Sequence, residues 1–368
     1  MARDMTPYIE AGCLDPKSAN AEAISGTIEY LEQRNLSTEA IIEALRDPAM
    51  TQLIETFARV GVGRLSSRDM AARVGMDVHR VLEVRVASGL PPAGPDDPVY
   101  EEDDVDGFKL LSAGDQIFTS DELLTFVRVL GSSVGRVAEA ANTLFLEDVE
   151  RPMLAAGVTG VDVLRSVVGA QGLALDLAWV FRMLIREHLN LSIDRHRQSV
   201  EQGGYSDGMV SMAVGFVDLV GFTTRSGSMS AKELGALVSK FETLALDTVS
   251  LLGGRLVKFI GDELMFVASG PSEACTIATE LLVAFGGDPS LTPRGGMAYG
   301  PVLARVGDYF GSTVNLAARL VDQAVPGEIL VTRELAEQSG HTLEPAGRRM
   351  LKGFSEPVAV YSLTEVRM

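Results

Sequence analysis

The chain has 368 residues, a formal net charge of −18 and a hydrophobic content of 46%. This length is sufficient for two domains with packed cores. The negative charge argues against general nucleic-acid binding, because a protein neutralises phosphates with a basic surface. An acidic protein that binds a nucleoside triphosphate normally does so through divalent cations.

Cysteine usage and hydropathy predict a cytoplasmic protein. The two cysteines, Cys13 and Cys275, are far apart in sequence and offer neither metal-ligand spacing nor a disulfide framework. The first residues lack the apolar segment of a signal peptide. The most apolar long stretch, residues 157–185, contains four charged residues, so no transmembrane segment is predicted.

Residues 1–190 are predicted to form an all-helical domain without a catalytic constellation. Apolar residues recur at helical spacing over residues 21–45, and Pro48 ends or interrupts that helix. Thr119 and Glu122 form a capping-box signature in front of the next apolar pattern. Long amphipathic helices are then expected to about Ile185.

Residues 51–90 contain a pattern that resembles a helix-turn-helix unit. Ala71, Gly75 and Val81 are spaced as the helix contact, the turn and the second helix of such a unit. One interpretation is a DNA-binding unit. The other, which we favour, is a helical pair used only for packing. The segment contains a cluster of basic residues, and no second basic cluster elsewhere supports DNA binding; the cluster consists of Arg64, Arg68, Arg73, Arg80 and Arg85.

Residues 191–207 are predicted to be a linker helix and hinge. Residues 186–202 are polar and charged with a helix-favouring composition, and the glycine-rich residues 203–208 then break the helix. His188 and His196 are eight residues apart and therefore share roughly one helix face. Because the ordinary pKa of histidine, about 6.5, is near cell pH, the pair is a candidate pH-sensitive connector. The alternative is a pair of exposed surface histidines.

Residues 208–368 change to strands that alternate with helices. Their β-α-β-β-α-β order predicts a ferredoxin-like α/β sandwich with extra elements at its end, so the fold class of the whole chain is α+β. The predicted strands cover residues 209–222, 256–259, 264–268, 294–306 and 328–332, followed by a final strand pair around Arg348 and over residues 358–363. The predicted helices cover residues 230–252, 271–285, 313–323 and 334–338.

Two aspartates stand where apolar strands end. Asp218 and Asp262 each lie beside a turn that contains a glycine. If the first strand pairs beside the hairpin of residues 256–268, both carboxylates meet at one edge of the sheet. Neighbouring carboxylates repel each other unless they share a proton or a cation. A divalent cation such as Mg²⁺, held by these carboxylates and by substrate phosphates, resolves the repulsion.

A second candidate group lies on the helix that follows Gly311. Asn315 and Arg319 are four residues apart and share one face of that helix. An amide one turn before a guanidinium, near the start of a helix, suits a phosphate-bearing ligand. Without the strand-end aspartates, an ordinary surface pair would be the default interpretation.

Three segments, FVDLVGFT, KFIGDELMF and GDYFGSTVNLAARL, occur in this order within the second half of the chain. They resemble the signature blocks of class III nucleotide cyclases, over about residues 207–366. The resemblance implies an adenylate cyclase that converts ATP to 3′,5′-cyclic AMP and pyrophosphate with two divalent cations, Mg²⁺ or Mn²⁺.

The resemblance also implies roles for seven positions. These are metal binding by Asp218 and Asp262, purine recognition by Lys258 and Asp308, ribose orientation by Asn315, transition-state stabilisation by Arg319, and a position near the triphosphate for Lys352. Lys258 can donate to adenine N1, and Asp308 can accept from the 6-amino group. Guanine carries a carbonyl at position 6 and a proton on N1, so the pair favours ATP; a guanylate cyclase is the alternative.

The same resemblance implies a homodimer with shared active sites, in which one chain supplies the metal-binding residues and the other Asn315 and Arg319. The layout is also similar to soluble, pH-responsive actinobacterial adenylyl cyclases, whose N-terminal helical domain inhibits catalysis. We therefore expect residues 1–190 to be regulatory, with pH or a fatty acid as possible inputs. The helices from Leu123 to Ile185 could enclose a lipid tail, although core packing alone explains their apolar residues. A transcription regulator whose cyclase-like half only binds nucleotide is an alternative of another class.

Overall fold

The structure is a computed structural model that describes residues 4–18, 21–33, 36–46, 63–156, 158, 160–201, 205–206, 208–286 and 292–364. The chain divides into two compact units, Met1–Ile185 and Arg186–Met368. Pro48 and most of the glycine-rich hinge lie outside the described residues. No described helix is both long enough and apolar enough to cross a membrane.

The first unit is helical, as predicted. Its helices are α1 (Thr6–Glu10), α2 (Ala21–Glu32), α3 (Thr38–Leu45), α4 (Ser67–Val74), α5 (Val78–Ala87), α6 (Asp104–Gly114), α7 (Ser120–Phe145) and α8 (Arg151–Ala155), with a π-helical turn at Leu146–Glu150. The predicted helix over residues 21–45 is two helices, because the Ser37 side chain caps the start of α3. The capping box of Thr119 and Glu122 is present at the start of α7.

The helix-turn-helix-like segment is part of a packed core. Gly75 ends α4 with a left-handed φ of 70°, which glycine adopts at little cost. Ala71 and Val81 are buried in one apolar cluster with Tyr100 and Phe108. The spacing that resembled a DNA-binding unit therefore has a sufficient explanation in the contact between α4 and α5.

Three arginines of this segment are paired with neighbouring acids. Their ion pairs are Arg68 Nε–Asp96 Oδ1 at 2.9 Å, Arg80 Nη2–Asp115 Oδ1 at 2.7 Å, and Arg73–Glu102. A nucleic acid would have to compete with these carboxylates for the guanidinium groups. The pairing supports the packing interpretation over DNA binding.

A 42-residue helix, α9 (Gly160–Glu201), contains most of the segment predicted as a linker. The predicted boundary between residues 190 and 191 falls inside this helix, whereas the compact units divide after Ile185. His188 and His196 lie on α9, and both side chains are exposed. Their role as a pH sensor stays a prediction.

The second unit is built on a nine-stranded sheet with the order β3-β4-β2-β5-β7-β9-β8, in which β1 pairs with β2 and β6 with β5. The strands are β1 (Tyr205–Ser206), β2 (Met209–Leu219), β3 (Arg255–Ile260), β4 (Glu263–Ala268), β5 (Pro293–Arg305), β6 (Asp308–Phe310), β7 (Glu328–Thr332), β8 (Glu344–Arg349) and β9 (Val358–Thr364). The helices are α10 (Phe222–Ser226), α11 (Ala231–Leu251), α12 (Pro271–Gly286), α13 (Ser312–Val321) and α14 (Arg333–Ser339). The order β3-β4-β2-β5 is the predicted ferredoxin-like arrangement, and β7, β9 and β8 extend it.

The alternation of side chains along β2 divides the core into two layers. Ala213, Val217 and Leu219 pack in a cluster with residues of α11 and α12. Met212, Val214 and Phe216 point to the other face, where they pack in a cluster with α13. Asp218 follows in this second series, so its carboxylate belongs to the α13 face of the sheet.

Helix α13 lies very close to strand β5. A Cβ atom on Gly296 would lie 2.3 Å from the carbonyl oxygen of Ala317, so only glycine allows this approach. The Thr313 hydroxyl donates to the Pro301 carbonyl at 2.9 Å and fixes the start of the helix. Because one side of α13 is buried against the sheet, its other side presents Asn315 and Arg319 to solvent.

Candidate active site

The end of β2 and the β3–β4 turn bring carboxylates together at one edge of the sheet. Asp218 is the direct cross-strand neighbour of Glu263. The amide of Leu219 donates to the carbonyl oxygen of Asp262 at 3.3 Å, which ties the turn to the end of β2. We call Asp218, Asp262 and Glu263 the acidic corner.

One guanidinium faces the acidic corner. Arg294 on β5 donates to Asp218 Oδ2 from Nε at 2.9 Å and from Nη2 at 2.8 Å. Burial, and then the charge of Asp218, raise the pKa of Asp262. Burial and neighbouring aspartates raise the pKa of Glu263 to about 7. Negative charge at this corner is therefore only partly compensated by the protein.

The acidic corner fits a hard divalent cation. Such an ion takes carboxylate oxygens as ligands and relieves their mutual repulsion. Within the described ranges, no set of three or more His, Cys, Asp or Glu side chains is arranged to hold a metal ion. Water and substrate oxygens would have to complete the coordination, which is common for Mg²⁺.

A second pair of charged side chains lies on the same face of the sheet. Lys258 on β3 forms an ion pair with Asp308 at the start of β6. The other Asp308 oxygen, Oδ1, accepts from the amide of Tyr309 at 2.8 Å. A lysine ammonium has three donor hydrogens and a carboxylate has several lone pairs, so both groups keep capacity for a ligand.

A β-bulge in β3 determines which face of the sheet the Lys258 side chain occupies. The pairing of β3 with β4 shifts between Leu256 and Lys258, which leaves Val257 as an inserted residue. Lys258 consequently stands opposite Met265, whose side chain is buried in the cluster facing α13. Asp308 adjoins Tyr309, a member of the same cluster. We call Lys258 and Asp308 the paired corner.

The remaining candidates, Asn315, Arg319 and Lys352, are all exposed. Asn315 and Arg319 are exposed on α13, and among the described residues no hydrogen bond or ion pair joins either side chain to the acidic or paired corner. Lys352 is exposed in the connection between β8 and β9, next to the buried Leu351. Their roles stay predictions.

Three charged residues of this region were missed from the sequence: Glu263, Arg294 and Arg255. Glu263 had a visible signal, because it is an acid adjacent to Asp262 at the start of an apolar strand. Arg294 and Arg255 each begin or nearly begin a strand, a position typical of ordinary surface arginines. Their partners are distant in sequence, so only the folded chain shows what they contact.

Comparison with known proteins accounts for both units. Residues 13–197 match the family described as "Adenylate cyclase regulatory domain", and residues 205–365 match "Adenylate and Guanylate cyclase catalytic domain".

Three relatives match between 57% and 94% of this chain. An uncharacterized protein of Mycobacterium tuberculosis is 31% identical over 348 residues, which cover 94% of this chain and 91% of that protein. A protein of the same species named pH-sensitive adenylate cyclase is 30% identical, with 81% of this chain and 77% of the relative covered. An adenylate cyclase of Streptomyces coelicolor is 38% identical over 214 residues, covering 57% of this chain and 54% of the relative.

The catalytic-domain match extends over nearly the whole second unit, including the acidic corner, the paired corner and α13. The regulatory-domain match extends over the helical first unit and most of α9. The chain therefore belongs to the class III adenylate cyclases, with a regulatory domain followed by a catalytic domain.

Proposed function

We propose that the protein converts ATP to 3′,5′-cyclic AMP and pyrophosphate at a site built from the acidic corner, the paired corner and α13. The observation that carries this proposal is the placement of Lys258, Asp308 and Asp218 on one face of the sheet. That face offers a hydrogen-bonding pair for a base and carboxylates for the cations of a triphosphate. The names of the relatives support the same reaction.

The paired corner selects adenine. Lys258 donates to N1, and Asp308 accepts from the 6-amino group. Guanine reverses both hydrogen-bonding patterns and leaves two polar groups unmatched, each of which costs about 1–3 kcal/mol. This mismatch argues against the alternative of a guanylate cyclase.

The acidic corner and α13 act on the phosphates. The ribose 3′-hydroxyl releases its proton to water and forms a bond to the α-phosphorus, while the bond from that phosphorus to the pyrophosphate oxygen breaks. Asp218 and Asp262 would hold two divalent cations, Mg²⁺ or Mn²⁺. Bound there, the cations would supply Lewis-acid stabilisation of phosphate charge and a lower pKa for the hydroxyl. Asn315 orients the ribose, Arg319 meets the charge that grows on the transferring group, and Lys352 lies near the triphosphate.

The test is a cyclase assay on the purified chain with Mn²⁺ or Mg²⁺ and either ATP or GTP. We expect cyclic AMP as the main product and expect Lys258→Ala or Asp308→Ala to lose most ATP turnover. Equal rates with GTP and ATP would overturn the assignment of the paired corner. Binding of ATP without any cyclic product would favour the nucleotide-binding transcription regulator instead.

The active site is shared between two chains in this proposal. Among the described residues of one chain, Asn315 and Arg319 are exposed, and no hydrogen bond or ion pair joins either side chain to the acidic or paired corner. A second copy related by two-fold symmetry would supply them, giving two equivalent sites in a homodimer. An equal mixture of Asp218→Ala and Arg319→Ala chains should recover about one quarter of the wild-type rate, because half of the dimers then contain one intact site. No recovery, in a mixture shown to form heterodimers, would contradict the shared site.

The first unit is proposed to regulate the second in response to pH or a fatty acid. Exposed His188 and His196 on α9 motivate the pH input, and the apolar helices from Leu123 to Ile185 motivate the lipid input. In this proposal the regulatory domain is residues 1–190, the linker helix and hinge are residues 191–207, and the catalytic domain is residues 208–368. If the double variant His188→Ala/His196→Ala keeps the wild-type pH profile of activity, these histidines are not the sensor. If a long-chain fatty acid leaves the activity of the full chain unchanged, the lipid input is wrong.

We place the protein in the cytoplasm, since both cysteines are free thiols.

A further inference from the structure

We infer that Arg255 is a positioning residue for adenine recognition: it clamps the turn that carries Asp308 onto the strand that carries Lys258. This inference rests on the proposed role of Lys258 and Asp308 in reading the base. It adds a residue that touches no part of the nucleotide and acts through the alignment of the pair.

Arg255 holds the β5–β6 turn by two hydrogen bonds. Its Nη2 donates to the carbonyl oxygen of Gly307 at 2.7 Å, and its Nη1 donates to the hydroxyl of Tyr309 at 3.2 Å. The guanidinium also lies over the Tyr309 ring, with Cζ 5.6 Å from the ring centroid. The two bonded residues are the immediate neighbours of Asp308, so Arg255 holds the backbone just before the base-reading carboxylate and the side chain just after it.

The bulge in β3 makes this clamp possible. Residues three apart in a regular strand point to opposite faces of the sheet. Because Val257 is inserted, Arg255 opposes Val267 and Lys258 opposes Met265, and both partners are buried on the α13 face. Arg255 and Lys258 therefore reach the same turn from one strand.

The clamped turn is in a conformation that its sequence disfavours. Arg305 and Asp308 are cross-strand neighbours, which leaves Val306 and Gly307 as a two-residue turn. Both have positive φ, 59° for Val306 and 80° for Gly307, as in a type I′ turn. A β-branched residue rarely adopts positive φ, and such strain persists only where surrounding contacts enforce it. The bond from Arg255 to Gly307 is a contact of this kind.

A further guanidinium, that of Arg195 near the end of α9, lies close to the clamp. Arg195 lies close enough to Tyr309, Arg255 and Glu273 for their charges to act on its own. Burial, and then the like charge of Arg255, lower the pKa of Arg195.

The test compares Arg255→Ala with Arg333→Ala, which removes an exposed arginine from the start of α14 in the same unit. Loss of the clamp should raise the KM for ATP about tenfold and lower the ATP-to-GTP preference about tenfold, as expected when a charge-assisted bond no longer fixes the recognition geometry. The kcat should stay within about threefold, since Arg255 does not meet the reacting phosphates. The Arg333→Ala chain should behave as the wild type.

A second substitution separates positioning from general stability. Asn-Gly is the preferred sequence for a type I′ turn, so Val306→Asn should hold the turn without the clamp. The double variant Arg255→Ala/Val306→Asn should therefore regain most of the ATP-to-GTP preference that Arg255→Ala loses. A folded Arg255→Ala chain with the wild-type KM for ATP and the wild-type ATP-to-GTP preference would overturn the inference. A double variant with wild-type thermal stability that does not regain the ATP-to-GTP preference would also overturn it. If Lys258→Ala also leaves the preference unchanged, the base-reading role itself is wrong, and the positioning role falls with it.

Discussion

The acidic corner and the paired corner lie on one face of the same sheet but balance charge in opposite ways. The acidic corner sets three carboxylates, Asp218, Asp262 and Glu263, against the guanidinium of Arg294. The paired corner matches the carboxylate of Asp308 with the ammonium of Lys258. One corner therefore carries excess negative charge, and the other has nearly none.

This difference indicates what each corner requires from a ligand. Excess carboxylate charge is relieved by a cation, so the acidic corner is complete only with a metal ion and the phosphates that accompany it. A balanced ion pair gains little from a charged ligand but offers directed donors and acceptors to a neutral one. Adenine, which is uncharged at neutral pH, suits the paired corner, whereas the triphosphate suits the acidic corner.

Matched carboxylate-to-amide substitutions should have their largest effect at the acidic corner. Asp218→Asn or Asp262→Asn keeps the shape of the side chain but removes the charge that holds the cation. Lewis-acid catalysis by such ions is worth several kcal/mol, so we expect kcat to fall on the order of 10²–10³-fold. The measurement is steady-state production of cyclic AMP at saturating Mn²⁺ and ATP.

A carboxylate-to-amide substitution at the paired corner should reduce activity less, and it should act mainly on the KM for ATP. Asp308→Asn keeps a carbonyl oxygen that can accept from the adenine 6-amino group but loses the ion pair with Lys258. We expect a rise in KM for ATP of about tenfold with a smaller change in kcat, because uniform binding is lost rather than transition-state stabilisation. Equal losses of kcat at Asp308 and Asp218 would erase the distinction between the two corners.

The sequence predicted those features that depend on local patterns. Two apolar runs on either side of the turn at Gly261 and Asp262 placed the β3–β4 hairpin within one residue of its observed limits. The Ser230 capping box fixed the start of α11. The order of strands and helices then determined the ferredoxin-like core, because few topologies satisfy that order.

Features that depend on contacts between distant residues were not predictable. Arg255 and Gly307 are 52 positions apart, and Arg294 and Asp218 are 76 apart. The bulge at Val257 leaves no mark in the sequence, since valine suits a regular strand equally well. The continuous α9 helix was also missed, because its polar end was interpreted as a separate linker.

The smallest expected effect concerns Arg294, which tests whether the acidic corner really carries uncompensated charge. In Arg294→Ala, Asp218 loses its ion-pair partner beside two further carboxylates. The side chains of Arg294 and Asp218 are 32% and 17% exposed, so solvent screens part of the interaction, and we expect the free energy of unfolding to fall by about 1–2 kcal/mol without metal. Added Mn²⁺ should stabilise the variant more than the wild type, because a cation binds the native corner more tightly when no guanidinium competes for Asp218. Urea unfolding with and without Mn²⁺ measures both effects. A variant that Mn²⁺ stabilises no more than the wild type would show that Arg294 does not compete with the cation, and the contrast between the two corners would then rest on Asp262 and Glu263 alone.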